Sequence, residues 1–471
     1  MDLTKGSIIR NLVLLSLPIM MSNFMQTFYD LANAFWLGRL GENAKNAVSA
    51  AGITFPVLFF LLSFGIGFMV AGTALISRYK GAGEPEKIKK TIGQLLFLLL
   101  TFVTFLVVLS LIFTEQILRI LQTPQEIFAI STGYLRVILI SMFFAFAFFI
   151  YQSVAQGLGD TVTPMKIQIV AVTINLLLDP LLIFGLWIFP HMETIGAAYA
   201  TLVARTVASI LGIYVFRRDS KDLIPTLHDL RPNWDIIKTI LKISIPSSLA
   251  MSCTSFGFVF LQGFVNTYGT IAISINSIGG RMTNLFMMPA MGIYNGLAAI
   301  VGQNLGAKNP QRAEKSFLYA LLLVGAIMAI GSCFIYFYAA ELTRFFLNDV
   351  DVIDAGKRMF KLTAFAAFIF GIHFCFTGVF NGSGDTKVVL MLDLIRLWLI
   401  RIPLVYILSG KLIELGWFSN ERTIQILTAI SAHLSAHPYD AIWWSMIYSN
   451  IITVTAAYFI YRSGRWKRVK F

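Results

Sequence analysis

Charge is scarce in this sequence. Only 13% of the 471 residues are Asp, Glu, Lys or Arg, about half the roughly 25% of an ordinary soluble domain, which excludes a water-solvated enzyme. Acids are scarcer than bases, 24 against 37. The resulting charge of +13 could suggest a nucleic-acid partner, but in so apolar a chain an excess of base marks cytoplasmic loops, and no nucleic acid is expected. Cysteine is nearly missing. Cys253, Cys333 and Cys375 lie far apart in apolar segments, against a disulfide framework or a zinc site. There is no Walker sequence, so ATP drive is unsupported and the chain is not expected to be an enzyme. A secretory leader is not expected either: after the polar Met1 to Gly6, the apolar run is too long and lacks a small-residue cleavage site.

Apolar residues are abundant: 57% are hydrophobic and the mean hydropathy is +0.75. Apolar segments exceeding the roughly 20 residues of a spanning helix recur from one end to the other. The fold class is therefore an all-α integral membrane protein. Apolar runs and their polar breaks predict twelve transmembrane helices. The first six cover Ile9 to Leu37, Ala47 to Ser77, Ile92 to Phe113, Phe128 to Ala155, Pro164 to Ile188 and Ile195 to Phe216. The second six cover Ile236 to Val265, Ile271 to Val301, Phe317 to Ala340, Met359 to Phe380, Val388 to Leu412 and Ala441 to Tyr461. With a cytoplasmic N-terminus, inner loops and tails hold roughly 22 Lys and Arg against about 8 outside, so both termini are expected in the cytoplasm. The polar stretch 217–235 divides an N-terminal lobe, 1–216, from a C-terminal lobe, 236–471.

The halves repeat each other. Gly81-Ala82 with Pro85 returns as Gly306-Ala307 with Pro310, and QGLGDT (Gln156 to Thr161) returns as NGSGDT (Asn381 to Thr386) at the same offset. Pro18 in LSLP matches Pro246 in ISIP. Each half has an even number of helices and enters the bilayer in the same sense, which makes a parallel pseudo-two-fold repeat of two six-helix lobes. Such lobes suit alternating access around a shared cavity.

Several stretches stand out in order and spacing: LSLPIMMSNFMQTFYDLANAFWLGRLG (Leu15 to Gly41), GTALISRYKGAGEPEK (Gly72 to Lys87), the paired QGLGDT and NGSGDT, INLLLDPLLIFGL (Ile174 to Leu186), GAAYAT (Gly196 to Thr201) and RIPLVYIL (Arg401 to Leu408). On these the chain resembles the multidrug and toxic compound extrusion (MATE) family of cation-coupled efflux transporters. The resemblance covers essentially all twelve helices. The same superfamily contains flippases for lipid-linked precursors.

An ionised group in hydrocarbon costs about 2.5–3.5 kcal/mol on insertion scales, so each intramembrane acid needs a reason. Asp30 sits late in the first helix, Asp179 in the fifth and Asp393 in the eleventh. Asp179 follows Asn175 by one turn, so amide and carboxylate share a face. Pro180 lacks an N–H and leaves the Leu176 carbonyl unpaired beside them. Pro18, about 12 residues before Asp30, gives the first helix a similar hinge. The resemblance implies a cation-coupling site in the N-terminal lobe, of the DinF-like or archaeal-type branch, formed by Asp30, Asn175, Asp179, Thr201 and Tyr134. Two carboxylates in a low dielectric share a proton more cheaply than they hold two charges, which suits H⁺, while Asp, Asn and Thr oxygens would equally hold Na⁺.

Asp393 has Arg396 one turn on, an i,i+3 pair that neutralises both. His373 in the tenth helix reads as a hydrogen-bonded packing residue, and His433 with His437, one turn apart, are too few for a metal site. No metal or cofactor is expected beyond transported H⁺ or Na⁺. The family's other branches place acidic ligands on helices 7 and 10, and the corresponding stretches here contain none.

Aromatic and Met side chains give a multidrug cavity adaptable contact area. Candidates are Met21, Met25 and Phe28 on the first helix and Met282, Phe286 and Met287 on the eighth, with Gln262, Asn276 and Asn284 for hydrogen bonds. The expected function is a multidrug efflux antiporter of the cytoplasmic membrane. It would export amphipathic or cationic organic compounds in exchange for H⁺ or Na⁺, with small molecules and membrane lipids as its partners and a monomer sufficient. The alternative is a flippase for a lipid-linked oligosaccharide or lipid, which Arg136, Arg205 and Arg281 keep open.

Overall fold

The computed structural model describes residues 1–346, 349–414, 422, 425 and 438–469. His433 and His437 lie outside the described residues. Among the described residues twelve long helical runs follow one another, and the order of apolar runs explains them. Helix 1 is Ile8–Leu37, helix 2 Ala44–Ala82, helix 3 Pro85–Ile112, helix 4 Gln125–Leu158, helix 5 Val162–Phe184 and helix 6 Glu193–Asp219. Helix 7 is Trp234–Asn266, helix 8 Gly269–Gly306, helix 9 Pro310–Phe337 and helix 10 Val350–Ser383. Helix 11 is Thr386–Leu394, a π-helical stretch Ile395–Arg401, then Ile402–Leu408, and helix 12 is Ala441–Arg462. Observed helices mostly outrun the predicted ones by a few residues, because polar end residues still close backbone hydrogen bonds outside the apolar stretch.

Two irregularities were not predicted. Helix 3 passes through a π-helical turn at Leu99–Val103, and helix 11 widens over Ile395–Arg401 just before Pro403, whose missing N–H disrupts the ladder behind it. The paired motifs, by contrast, do matching work. Helices 4 and 10 both end on a left-handed glycine, Gly159 at φ +87° and Gly384 at φ +80°, a conformation that costs glycine no Cβ clash. A Cβ on Gly81 would collide with the Gln303 carbonyl oxygen, and one on Gly306 with that of Arg78. The repeat thus preserves a reciprocal crossing of two backbones.

By its internal contacts the chain divides into two compact units. The first is residues 1–248 with 298–313, and the second comprises 249–297 and the described residues from 314 onward. The first is built around Phe68, Leu75, Ile92, Ile138, Met142, Phe146 and Ile240 on helices 2, 3, 4 and 7. The second is built around Leu261, Ile275, Met359, Phe360, Leu397 and Trp443.

The stretch 217–235 is tied down within the first unit. Gln94 on helix 3 donates to the carbonyls of Asp229 and Arg231, at 2.7 and 2.8 Å, and accepts from the Asn233 N–H at 2.9 Å. Asp229 accepts from the Thr226 hydroxyl (2.7 Å) and N–H (2.8 Å), with Lys89 Nζ at 3.9 Å. The Thr226 hydroxyl bond, helped by its N–H, Lys89 and His228, outweighs burial and holds the Asp229 carboxyl below its usual value of 3.8. A depressed native pKa stabilises fully above the unfolded value and is lost as pH falls through the native one. Amide exchange in 217–235 should therefore accelerate as pH drops below 3.8, after correction for intrinsic rates. In Asp229→Asn that extra acid-dependent step should be missing.

Candidate functional site

Small residues bring helix 6 close to helix 5. Gly196, Ala197, Ala198 and Ala200 of GAAYAT are all buried, and a Cβ on Gly196 would stand 2.6 Å from the Leu182 carbonyl oxygen. In a bilayer such close approach is how helices gain packing energy. It carries Thr201 to the face that holds Asn175 and Asp179.

Thr201 is the junction of the site. Its backbone N–H lies 3.1 Å from the Asn175 side-chain oxygen, and the Asn175 amide nitrogen lies 3.1 Å from Asp179 Oδ2, in the amide orientation its neighbours require. The Thr201 hydroxyl donates to the Ala197 carbonyl at 3.0 Å and so accepts from the Tyr29 hydroxyl of helix 1 at 2.7 Å. A continuous path of hydrogen bonds runs from Asp179 through Asn175 and Thr201 to Tyr29. It joins helices 5, 6 and 1.

Asp179 is 0% exposed, and its second oxygen, Oδ1, has no hydrogen-bond partner among the described residues. A buried acceptor left open in this way calls for an explanation, since nearly all such atoms are satisfied. Either a proton or a small cation at Oδ1 would supply it. No described basic group forms an ion pair with Asp179 or with Asp30.

Asp30 stands differently. It is exposed, and its Oδ1 accepts from Gln26 Nε2, one turn back, at 3.2 Å; Gln26 in turn accepts from Gln168 of helix 5 at 3.2 Å. Among the described residues no hydrogen bond joins Asp30 to Asp179. Tyr134 is buried on helix 4, within electrostatic reach of Tyr29, Asp30, Asp179 and Arg205. The five expected residues thus fall into a bonded trio, Asn175, Asp179 and Thr201, with Asp30 and Tyr134 around it.

Sequence reasoning missed Tyr29, Gln26 and Gln168. Gln26 had a signal, since it precedes Asp30 by four residues on one helical face. Arg205, one turn beyond Thr201, donates to Ser141 Oγ at 2.8 Å on helix 4 and sets a cation within electrostatic reach of Asp30. Arg136 pairs with Glu115 at 3.0 Å, and Arg281 is exposed. Pro18 and Pro180 both lie inside unbroken helices, with the Ser22 hydroxyl donating to the Pro18 carbonyl at 3.1 Å.

Of the cavity candidates, Met21 and Phe28 are exposed and Met25 half-buried. Asn284 is exposed, Met282 and Phe286 are half-buried against the second core, and Met287 is buried. Gln262 accepts from Asn276 and donates to Asn266, both at 2.8 Å. In the second unit Asp393 takes the expected partner, Arg396 Nη2 at 3.2 Å, and His373 Nε2 lies 3.4 Å from the same Asp393 oxygen. Helix 10 packs there against helix 11, a proximity that sequence spacing does not reveal.

A family model described as MatE matches residues 18–181 and again residues 246–407, more than half of the chain. The chain belongs to the MatE family. The two matches begin at the repeat-paired Pro18 and Pro246. Among curated relatives, "Probable multidrug resistance protein YpnP" of Bacillus subtilis is 27% identical over 469 residues, covering 100% of this chain and 98% of the relative. "Multidrug export protein MepA" of Staphylococcus saprophyticus is 25% identical over 406 residues, covering 86% and 88%. The crystal structure of a MATE protein in complex with MaL6 superposes with a TM-score of 0.86 at 22% identity, over 99% of both chains. The fold is that of the MATE transporters: twelve transmembrane helices in two six-helix lobes related by a parallel repeat.

The Tyr29–Thr201 bond gives a direct test of the path. Tyr29→Phe and Thr201→Val should each lower thermal stability, and a double-mutant cycle should return a coupling of about 0.5–1.5 kcal/mol. Additive losses would mean the two hydroxyls do not act together.

Proposed function

We propose that this MATE-family chain is a cation-coupled multidrug antiporter of the cytoplasmic membrane, with both termini in the cytoplasm. It exports amphipathic or cationic organic compounds by alternating access as a cation enters, and one chain suffices. The matched relatives bear the names of multidrug resistance and export proteins, which supports the cargo class. The observation that carries the coupling is the open, fully buried Oδ1 of Asp179 at the head of a hydrogen-bond path to helix 1.

A proton is the first choice for the coupling ion. Asn175 turns the donor end of its amide to Asp179, so one oxygen is left for H⁺, whereas Na⁺ takes several converging oxygens. The lobes are helices 1–6, residues 1–216, and helices 7–12, residues 236–471, joined by 217–235. An ion shifts a two-state equilibrium only by binding one state better. Protonation of Asp179 turns an acceptor into a donor, changes the pull on Asn175 and Thr201, and through Tyr29 favours one setting of helix 1, with Pro18 and Pro180 as the hinges. Asp30, exposed and near Arg205, supplies the charge that a departing organic cation leaves behind.

The test is transport of a fluorescent cationic dye in proteoliposomes under separately imposed pH and Na⁺ gradients. Wild type should move dye under the pH gradient, and Asp179→Asn and Asp30→Asn should each lose gradient-driven movement on the order of tenfold or more, within the range of ordinary coupling free energies. Undiminished movement in both variants would remove the site. Movement of lipid-linked pyrophosphates alone would instead favour the flippase.

A further inference from the structure

The second unit holds a buried positive charge that nothing described neutralises. Arg401, the first residue of RIPLVYIL, is 7% exposed at the end of the π-helical stretch of helix 11. Its guanidinium makes no hydrogen bond or ion pair with any described residue, and its Nε is buried without a partner. Its guanidinium lies over the face of Phe258 on helix 7, 5.9 Å from the ring centre. Arginine keeps its charge in proteins, and a desolvated charge without a counter-ion is expensive.

The neighbours deepen the imbalance. Arg396, five residues earlier on the same widened helix, lies within electrostatic reach of Arg401. The acid beside them, Asp393, is already shared: Arg396 Nη2 and Nε stand 3.2 and 3.4 Å from its Oδ1, and His373 Nε2 stands 3.4 Å from the same atom. Phe370 covers the pair, stacked on His373 at 5.6 Å and 8° and lying 4.6 Å beneath the Arg396 guanidinium. His373 Nδ1 is buried with no partner. Arg396 and His373 therefore share one carboxylate and Arg401 has none among the described residues, which leaves at least one positive charge over. A π-helical widening is a frequent mark of a functional position.

We propose that Arg401, with Arg396 within electrostatic reach, forms a site in the second unit for the anionic group of an amphipathic ligand, a carboxylate or a phosphate. The guanidinium fork matches either group in two parallel hydrogen bonds. Phe258 and Phe370 offer apolar faces to whatever the anion is attached to. The site is opposite in sign to the carboxylates of the first unit, so a zwitterionic cargo or an acidic lipid would find a partner for its negative end here.

The experiment measures binding to the full chain in lipid nanodiscs by fluorescence anisotropy. Four probes share one fluorophore and one alkyl chain, and end in a carboxylate, a phosphate monoester, an uncharged amide or an ammonium. Wild type should bind the carboxylate or the phosphate about tenfold or more tighter than the amide, the scale of one charge-assisted hydrogen bond. Preference for the carboxylate points to a soluble amphiphile as the natural ligand, and preference for the phosphate alone to a lipid headgroup. In Arg401→Met the preference should vanish while ammonium-probe binding stays, which also reports that the fold is intact. Removing an uncompensated charge from an apolar interior spares the fold. Should that variant nonetheless fail to fold, Arg401→Lys should retain a weakened preference. Wild type binding both anions no better than the amide would overturn the proposal, as would an undiminished preference in folded Arg401→Met. Because the ammonium probe reads the cationic cargo separately, failure here leaves the antiporter reading standing.

Discussion

The site in the first unit depends on one open carboxylate oxygen at the head of a hydrogen-bond path. Asp179 Oδ1 is sealed from solvent and unbonded, and the low dielectric that makes an open acceptor costly also makes whatever fills it influential. Its partner oxygen is held by Asn175, which is held by the Thr201 backbone, which is approached by Tyr29. Each bond replaces one that water would give at a surface. Interior helices have few polar groups with which to change partners, so a change at Asp179 has a single described route outward. The small residues of GAAYAT are the precondition, because a bulkier helix 6 would stand off from helix 5 and leave Thr201 out of reach.

The two repeats have kept their scaffold and changed their polarity. Left-handed Gly159 and Gly384, and the reciprocal approach of Gly81 and Gly306, are backbone requirements, which side chains cannot substitute. The polar residues obey no such rule. The first unit sets Asp30 within electrostatic reach of Arg205 and leaves Asp179 without an ion pair, whereas the second pairs Asp393 with Arg396 and leaves Arg401 without one among the described residues. A buried ion pair such as Asp393–Arg396 roughly balances its own desolvation. The groups left over, Asp179 and Arg401, cost stability, which is why both are proposed as ligand positions.

The helices were legible in the sequence because spanning runs are long and their ends are marked by Gly, Pro and charge. Relations inside one helix were legible too, as Asn175 with Asp179 and Asp393 with Arg396 show. What escaped lies between helices. Successive residues on a helix diverge by roughly 100°, so Tyr29 and Asp30 turn to different neighbours, and only the packing of helix 1 on helix 6 reveals which one meets Thr201. His373 reaches Asp393 from another helix, and Leu3 donates its N–H to Gln303 Oε1 at 3.0 Å across most of the chain length. The π-helical stretch of helix 11 was hidden as well, since a ladder shifted by one residue leaves the apolar pattern unchanged.

The central claim, that occupancy of Asp179 is relayed to helix 1, is tested most directly by hydrogen exchange mass spectrometry on residues 8–37. Exchange is followed in nanodiscs across pH 5 to 8 and corrected for intrinsic rates. Wild type should show a pH-dependent step in helix 1 protection that disappears in Asp179→Asn and also in Tyr29→Phe, where the acid is intact but the path is cut. An identical step in all three proteins would contradict the relay.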